Sequence, residues 1–146
     1  MKGYVSGDER TLGKIDAQGR LRTGDLGRLD DDGHLFLVGR SSEMIKSAGE
    51  RIFPQEIEDV LHRLDGVAEV AVIGLPDELL GEKVVAYLIA KAGHTLERPT
   101  LKAHCLAAMP FVRVPKEFRV VESLPQTASG KVSRAKLRQQ AVADKA

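Results

Sequence analysis

The chain alternates between two apolar rhythms, one of period two and one of about 3.6 residues, separated by short polar breaks. Apolar runs at 21–29 and 34–38 flank Asp30-Asp31-Asp32-Gly33, and an Asp-Gly step between apolar runs predicts a β-hairpin. A second, irregular hairpin is expected over 44–53 around Ser47-Ala48-Gly49. Pro54 suits a first helical turn, and Ile57, Val60, Leu61 and Leu64 then recur at helical spacing. Residues 67–73 and 83–90 are β-rich and of strand length. A second helix is predicted over 99–109, with Leu101, Cys105, Ala108 and Met109 on one face, and a further strand over 118–121. Ser133 can cap a final helix whose apolar members are Ala135, Leu137, Ala141 and Val142, fraying over 143–146. Between that strand and that helix, residues 124–131 are small, polar and glycine-containing, the composition of a mobile loop.

This alternation predicts an α/β (α+β) fold, a small mixed sheet flanked by three helices and preceded by a β-hairpin. The break in pattern near 40–43 divides the chain into 1–41 and 42–146.

Length and composition agree with a soluble, globular domain carrying a modest appendage: 146 residues, 42% hydrophobic and 29% charged. The 22 basic and 21 acidic side chains are interspersed and leave a net charge of +1. Such a balance excludes the single-sign field of a nucleic-acid or membrane-surface binder, and aromatics at 4% add nothing for base stacking. A lone cysteine, Cys105, excludes an intrachain disulfide and a thiolate zinc cluster. Met1-Lys2-Gly3-Tyr4-Val5 lacks the apolar run of a signal peptide, and no apolar stretch approaches the roughly 20 residues of a membrane span. A cytoplasmic location is expected.

The general catalytic patterns fail in turn. The triple aspartate lacks the alternating ligands of a calcium loop and reads as a solvated turn. Gly130-Lys131 is followed by Val132, and Pro125 stands where a P-loop needs its first glycine. No dinucleotide fingerprint or nucleophile elbow is present. His34, His62, His94 and His104 are widely separated, so no metal site is expected. Cys105 reads as a core residue, and His104, adjacent in sequence, does not face it on a helix. Any chemistry must therefore lie on loops.

Three loop segments, in order, carry a specific pattern. They are Thr23-Gly24-Asp25-Leu26; Gly39-Arg40-Ser41-Ser42-Glu43-Met44-Ile45-Lys46-Ser47-Ala48-Gly49-Glu50-Arg51-Ile52 with Pro54 and Glu56-Ile57-Glu58; and Leu124-Pro125-Gln126-Thr127-Ala128-Ser129-Gly130-Lys131-Val132 with Arg134. Gly74-Leu75-Pro76-Asp77, Gly81-Glu82-Lys83-Val84 and Arg113-Val114-Pro115 support them. The set resembles the C-terminal part of the adenylate-forming superfamily of acyl-CoA synthetases, peptide-synthetase adenylation domains and firefly luciferase. The segment from Ile45 to Pro54 looks closest to acyl-CoA ligases.

The resemblance implies an enzyme that joins a carboxylic acid to ATP, forming an acyl-adenylate, and then passes the acyl group to a pantetheine thiol. It implies that Lys131 is the catalytic lysine, placed between the acid and the α-phosphate, where a fixed cation favours the crowded transition state. Asp25 would bind the ribose hydroxyls and Arg40 the ribose or phosphate oxygens. Ser42 would be the hinge about which the domain rotates between the two steps. Ser47, Ala48, Gly49 and Glu50 would line the pantetheine channel, with Arg113, Lys116 and Arg119 meeting coenzyme A phosphates. Magnesium would be bound mainly by an N-terminal adenylation domain, whose last hairpin is 21–38 and whose body lies outside this sequence. This chain alone would then be inactive, and the apolar residues of the hairpin would pack against that partner.

Two positions depart from the family pattern, Ser42 replacing the usual aspartate or lysine and Gln126 a common lysine, and Val112 or Phe111 occupies the region where an aromatic often stacks on the coenzyme adenine. Coenzyme A is the preferred acceptor. An acyl-carrier-protein acceptor, a free-standing half of a split enzyme and a non-catalytic carrier-binding module are the alternatives.

Overall fold

The computed structural model describes residues 14–144. The segment 1–5 and the last two residues of the expected fraying lie outside the described residues. Contacts divide the chain into two compact units, with the division between Ser42 and Glu43.

The first unit is built on the expected hairpin. Strand β1 (Asp25–Leu29) pairs antiparallel with β2 (Leu35–Arg40), with a bulge at Leu26/Gly27. The Asp30 carboxylate organises the turn by accepting from the backbone N–H groups of Asp32 (3.1 Å) and His34 (2.8 Å), the local bonding that suits aspartate to turns. Leu29, Leu35 and Leu37 share one face and are 69%, 66% and 73% exposed. A two-stranded ribbon has no second layer of its own to cover such a face.

The second unit is a mixed five-stranded sheet between two helical layers. Strands β3 (Ile45–Ser47) and β4 (Glu50–Ile52) form a tight hairpin, followed by helix α1 (Pro54–His62). Strands β5 (Val67–Asp77) and β6 (Gly81–Ala90) form one long antiparallel pair, considerably longer than the two separate strands expected. Pairing continues through Gly74 and Pro76, residues that ordinarily weaken a strand. Pro76 is exposed at the end of the ladder, and Asp77 Oδ1 closes the reversal by accepting from the N–H groups of Leu79 (3.1 Å) and Leu80 (3.0 Å).

Helix α2 (Arg98–Ala108), a single 3-10 turn (Phe111–Arg113), β7 (Glu117–Val120) and helix α3 (Arg134–Ala143) complete the unit. β6 is central: β5 lies along one edge, while β3 at its start and the parallel β7 further along share the other. Alternate residues of β5 and β6 serve two cores. Val70, Val72, Val84, Ala86 and Leu88 meet Ile57 and Leu61 of α1 and Leu101 and Cys105 of α2. Ala71, Ile73, Leu75, Val85 and Tyr87 meet Leu137 and Ala141 of α3.

Three details differ from the apolar patterns. Ala108 is exposed because α2 ends there and the chain turns extended at Met109. Ala135 and Val142 are exposed because α3 presents only the narrow Leu137–Ala141 stripe to the sheet. The 124–131 segment closes as a hydrogen-bonded turn. No helix among the described residues is long and apolar enough to cross a membrane.

Candidate functional site

Lys131 lies on a turn that its neighbours hold shut. Thr127 N–H donates to the Lys131 carbonyl (2.7 Å), and Gly130 N–H donates to the Thr127 carbonyl (3.0 Å). Lys131 N–H reaches Thr127 Oγ1 (3.2 Å), which also bonds Ser129 Oγ (3.0 Å). Gly130 adopts φ +78°, open to glycine at no steric cost, and a Cβ there would meet no atom within 4 Å. Backbone conformation, not crowding, is the demand at that position. Gln126 and Val132 bridge below the turn, and Ser133 N–H donates to the Pro125 carbonyl (2.7 Å). The Lys131 side chain is exposed, and no carboxylate among the described residues pairs with it. The result is an ammonium free to meet an external anion, on a backbone that is already ordered.

A second built turn is Ala48-Gly49. Both residues have positive φ, +51° and +82°, the pairing of a type I′ hairpin turn. An alanine in this region stores strain of about 1 kcal/mol, and the Ala48 N–H donating to the Leu80 carbonyl (2.9 Å) helps hold it. Ala48, Gly49 and Glu50 are exposed, but Ser47 is buried at 2% and lies opposite Gly81 in the sheet. Of the four residues expected along a pantetheine channel, three lie at the surface and Ser47 supports them from beneath.

The basic residues divide similarly. Arg113 Nη1 donates to Glu56 Oε2 (3.0 Å), tying the 3-10 turn to α1. The Lys116 ammonium lies 4.2 Å from the centroid of the Phe111 ring. Lys116 and Phe111, with Arg98, Lys102 and Phe118 among others, line a groove of about 430 Å³. Arg119 is already committed, to Glu117 Oε1 (2.9 and 3.0 Å) and the Tyr87 hydroxyl (2.8 Å).

In the first unit, Asp25 and Arg40 are cross-strand partners, with Arg40 Nε donating to Asp25 Oδ1 (3.1 Å). Gly24 at φ +79° and the bond from Ser41 N–H to the Gly24 carbonyl (2.9 Å) close this end of the hairpin. Ser42 is an exposed turn residue at the boundary between units.

Cys105 and His104 take the structural roles expected of them. Cys105 is fully buried, and burial pushes its thiol up to about 11. His104 Nε2 donates to the Val60 carbonyl (2.9 Å), tying α2 to the end of α1.

One cluster had no role assigned in advance. Arg134, at the start of α3, donates through Nη1 to Glu43 (2.8 Å) and through Nη2 and Nε to Glu58 (2.6 and 3.3 Å). Glu58 is only 7% exposed and also accepts from Val72 N–H (2.8 Å) on the open edge of β5. The sequence signal is Arg134 three residues beyond Lys131 and the Glu56-Ile57-Glu58 step on a predicted helix. Nothing local links them, because the partners are 76 and 91 residues apart.

The chain belongs to the AMP-binding enzyme C-terminal domain family, whose pattern it matches over residues 56–131. It is 46% identical over 140 residues to a (methyl-dioxo-octahydroindenyl)propanoyl:CoA ligase of Rhodococcus jostii, covering 96% of this chain and 27% of that protein. Among solved structures it is similar to o-succinylbenzoate CoA synthetase (MenE) from Bacillus subtilis in complex with the acyl-adenylate intermediate OSB-AMP. There the TM-score is 0.86 at 35% identity, over 94% of this chain and 28% of the other. ATP-bound MatB from Rhodopseudomonas palustris gives a TM-score of 0.84 at 31% identity, over 95% and 28%. The chain thus spans little more than a quarter of the length of the relatives it matches.

Proposed function

We propose that this chain is the C-terminal portion of an ATP-dependent, AMP-forming carboxylate ligase that passes its acyl group to coenzyme A. The observation that carries this reading is the exposed Lys131 ammonium on a closed turn, paired with no carboxylate among the described residues, in a chain whose relatives are CoA ligases. ATP and the acid are the first substrates. Attack of the carboxylate on the α-phosphorus forms the acyl–phosphate bond and releases pyrophosphate, and negative charge gathers where the two anions meet. Lys131 supplies a fixed cation there, and a cation that gains more from the transition state than from the separated reactants raises the rate. Attack of a pantetheine thiol on the acyl carbonyl then releases AMP.

Asp25 is assigned to the ribose hydroxyls and Arg40 to ribose or phosphate oxygens, and their mutual ion pair pre-orients both. Ser42 is the hinge. Ala48, Gly49 and Glu50, with Ser47 beneath, line the thiol channel, and Arg113 and Lys116 meet coenzyme phosphates. Magnesium accompanying ATP is assigned to the N-terminal portion. The three close metal-capable groups among the described residues, Asp30, Asp32 and His34, are in a hairpin turn where Asp30 already serves the backbone. The exposed leucine face of β1–β2 is assigned to contact with that same portion. An acyl-carrier-protein acceptor is the second reading, because a carrier presents the same pantetheine thiol.

The decisive experiment joins this chain to the N-terminal portion of a relative and measures acid-dependent pyrophosphate exchange, with Lys131→Ala beside the parent. Undiminished exchange in that variant rejects the catalytic assignment. Thioester formation with coenzyme A against a carrier protein then identifies the acceptor.

A further inference from the structure

Arg134 is the only side chain among the described residues that donates to carboxylates on both the first residue of the second unit and helix α1. Glu43 follows directly on Ser42. Glu58 is packed over the edge of β5, where its Oε1 accepts the Val72 N–H that no strand among the described residues reaches. A carboxylate this buried requires compensation, and the guanidinium fork supplies two of its three bonds. Arg134 is itself placed by the capped start of α3: Ser133 Oγ accepts from Lys136 N–H (3.4 Å), and Ser133 N–H is held by Pro125. From Arg134 back to Lys131 the chain has little freedom, because Val132 bridges Gln126 and the turn is closed above it.

We infer that Arg134 is a positioning residue: with Glu43 and Glu58 it locks the Lys131 turn to the chain segment that leaves the hinge. This inference rests on the function proposed above. Rotation about Ser42 then moves Glu43, α1 and the Lys131 turn as one body, and the ammonium arrives without slack. Small displacements of a catalytic group are costly in rate. Only the adenylating step uses Lys131, so only that step depends on the lock. A lysine at 134 would keep the charge but lose the fork that holds two carboxylates at once.

The test uses the chain joined to a relative's N-terminal portion, with Glu43→Gln, Arg134→Lys and both together. Pyrophosphate exchange reports the first step, and thioester formation from preformed acyl-adenylate reports the second. Glu43→Gln is expected to lower kcat of exchange about tenfold with KM for ATP within about twofold, and to leave acyl transfer within about twofold. The double variant is expected to be no more than about twofold slower than Arg134→Lys alone, because both changes open one contact. The Glu43–Arg134 pair is partly exposed, so Glu43→Gln should move the melting temperature by no more than about 2 °C.

Equal losses in both steps, or losses that follow the melting temperature, would overturn the positioning role. So would unchanged exchange in Glu43→Gln while Lys131→Ala abolishes it. Unchanged exchange in Lys131→Ala is a different failure, since it rejects the catalytic assignment itself.

Discussion

Glu82 lies directly over Gly74 in the β5–β6 pair: a Cβ built on Gly74 would stand 2.7 Å from Glu82 Oε1 and 2.9 Å from Ile45 Cγ2. The space left by the missing side chain lets the Glu82 carboxylate reach across to Lys46 N–H (2.8 Å) and hold β3 beside the long hairpin. Gly74→Ala is therefore expected to destabilise the fold by about 1–3 kcal/mol, since the Glu82 tip can swing aside but the fully buried Ile45 cannot. The urea midpoint of unfolding checks this, and a midpoint equal to the parent's would show that the site relaxes freely.

Lys131→Ala, in the chain joined to a relative's N-terminal portion, should lower adenylation by about 10²–10³-fold, the scale for losing one preorganised charge contact in a transition state. Its melting temperature should match the parent's, because the side chain is exposed and pairs with no described carboxylate. Pyrophosphate exchange and a thermal melt separate the two effects.

Cys105 should resist a thiol-reactive probe at pH 8 in the native chain and react at once in denaturant. Burial raises the folded thiol from 9.0 to about 11, so the stabilisation it provides is full below pH 9 and is lost as pH rises through 11. Rapid labelling of the native chain at pH 8 would contradict the buried placement.

Glu117 predicts behaviour on the acid side. Its hydrogen bond from Lys83 Nζ (2.8 Å), together with Arg119, holds its carboxyl below the ordinary 4.5 despite opposing desolvation. A depressed carboxylate stabilises above its unfolded pKa, and that contribution is lost as pH falls through the folded value. Glu117→Gln should flatten the decline of stability below about pH 4.5, read from denaturation midpoints across pH.

The β1–β2 ribbon should behave as an uncovered apolar surface. Leu35→Ser with Leu37→Ser is expected to reduce binding of a hydrophobic fluorescent dye by the isolated chain while leaving the melt of the second unit unchanged. In the joined enzyme, the same pair should weaken whatever contact those leucines make. An unchanged dye signal would show that the face is covered.

Local pattern alone determined the three helices, the two short hairpins and the position of β7, because each depends on neighbours within a few residues. It also determined the family, since the ordered loop motifs are read directly along the chain and the match over 56–131 agrees with them. The full length of β5 and β6 was not legible: Gly74 and Pro76 read as breakers, and only cross-strand pairing with Glu82 and Val84 carries the ladder through them. The burial of Ser47 was hidden for the same reason, because it follows from pairing with Gly81, 34 positions on. The tertiary structure alone decided that the Lys131 loop is a closed turn and that Arg134 joins Glu43 to Glu58. Charge partners so far apart in sequence leave no periodicity to read. They meet only when the sheet edge and two helix ends have been brought together in space.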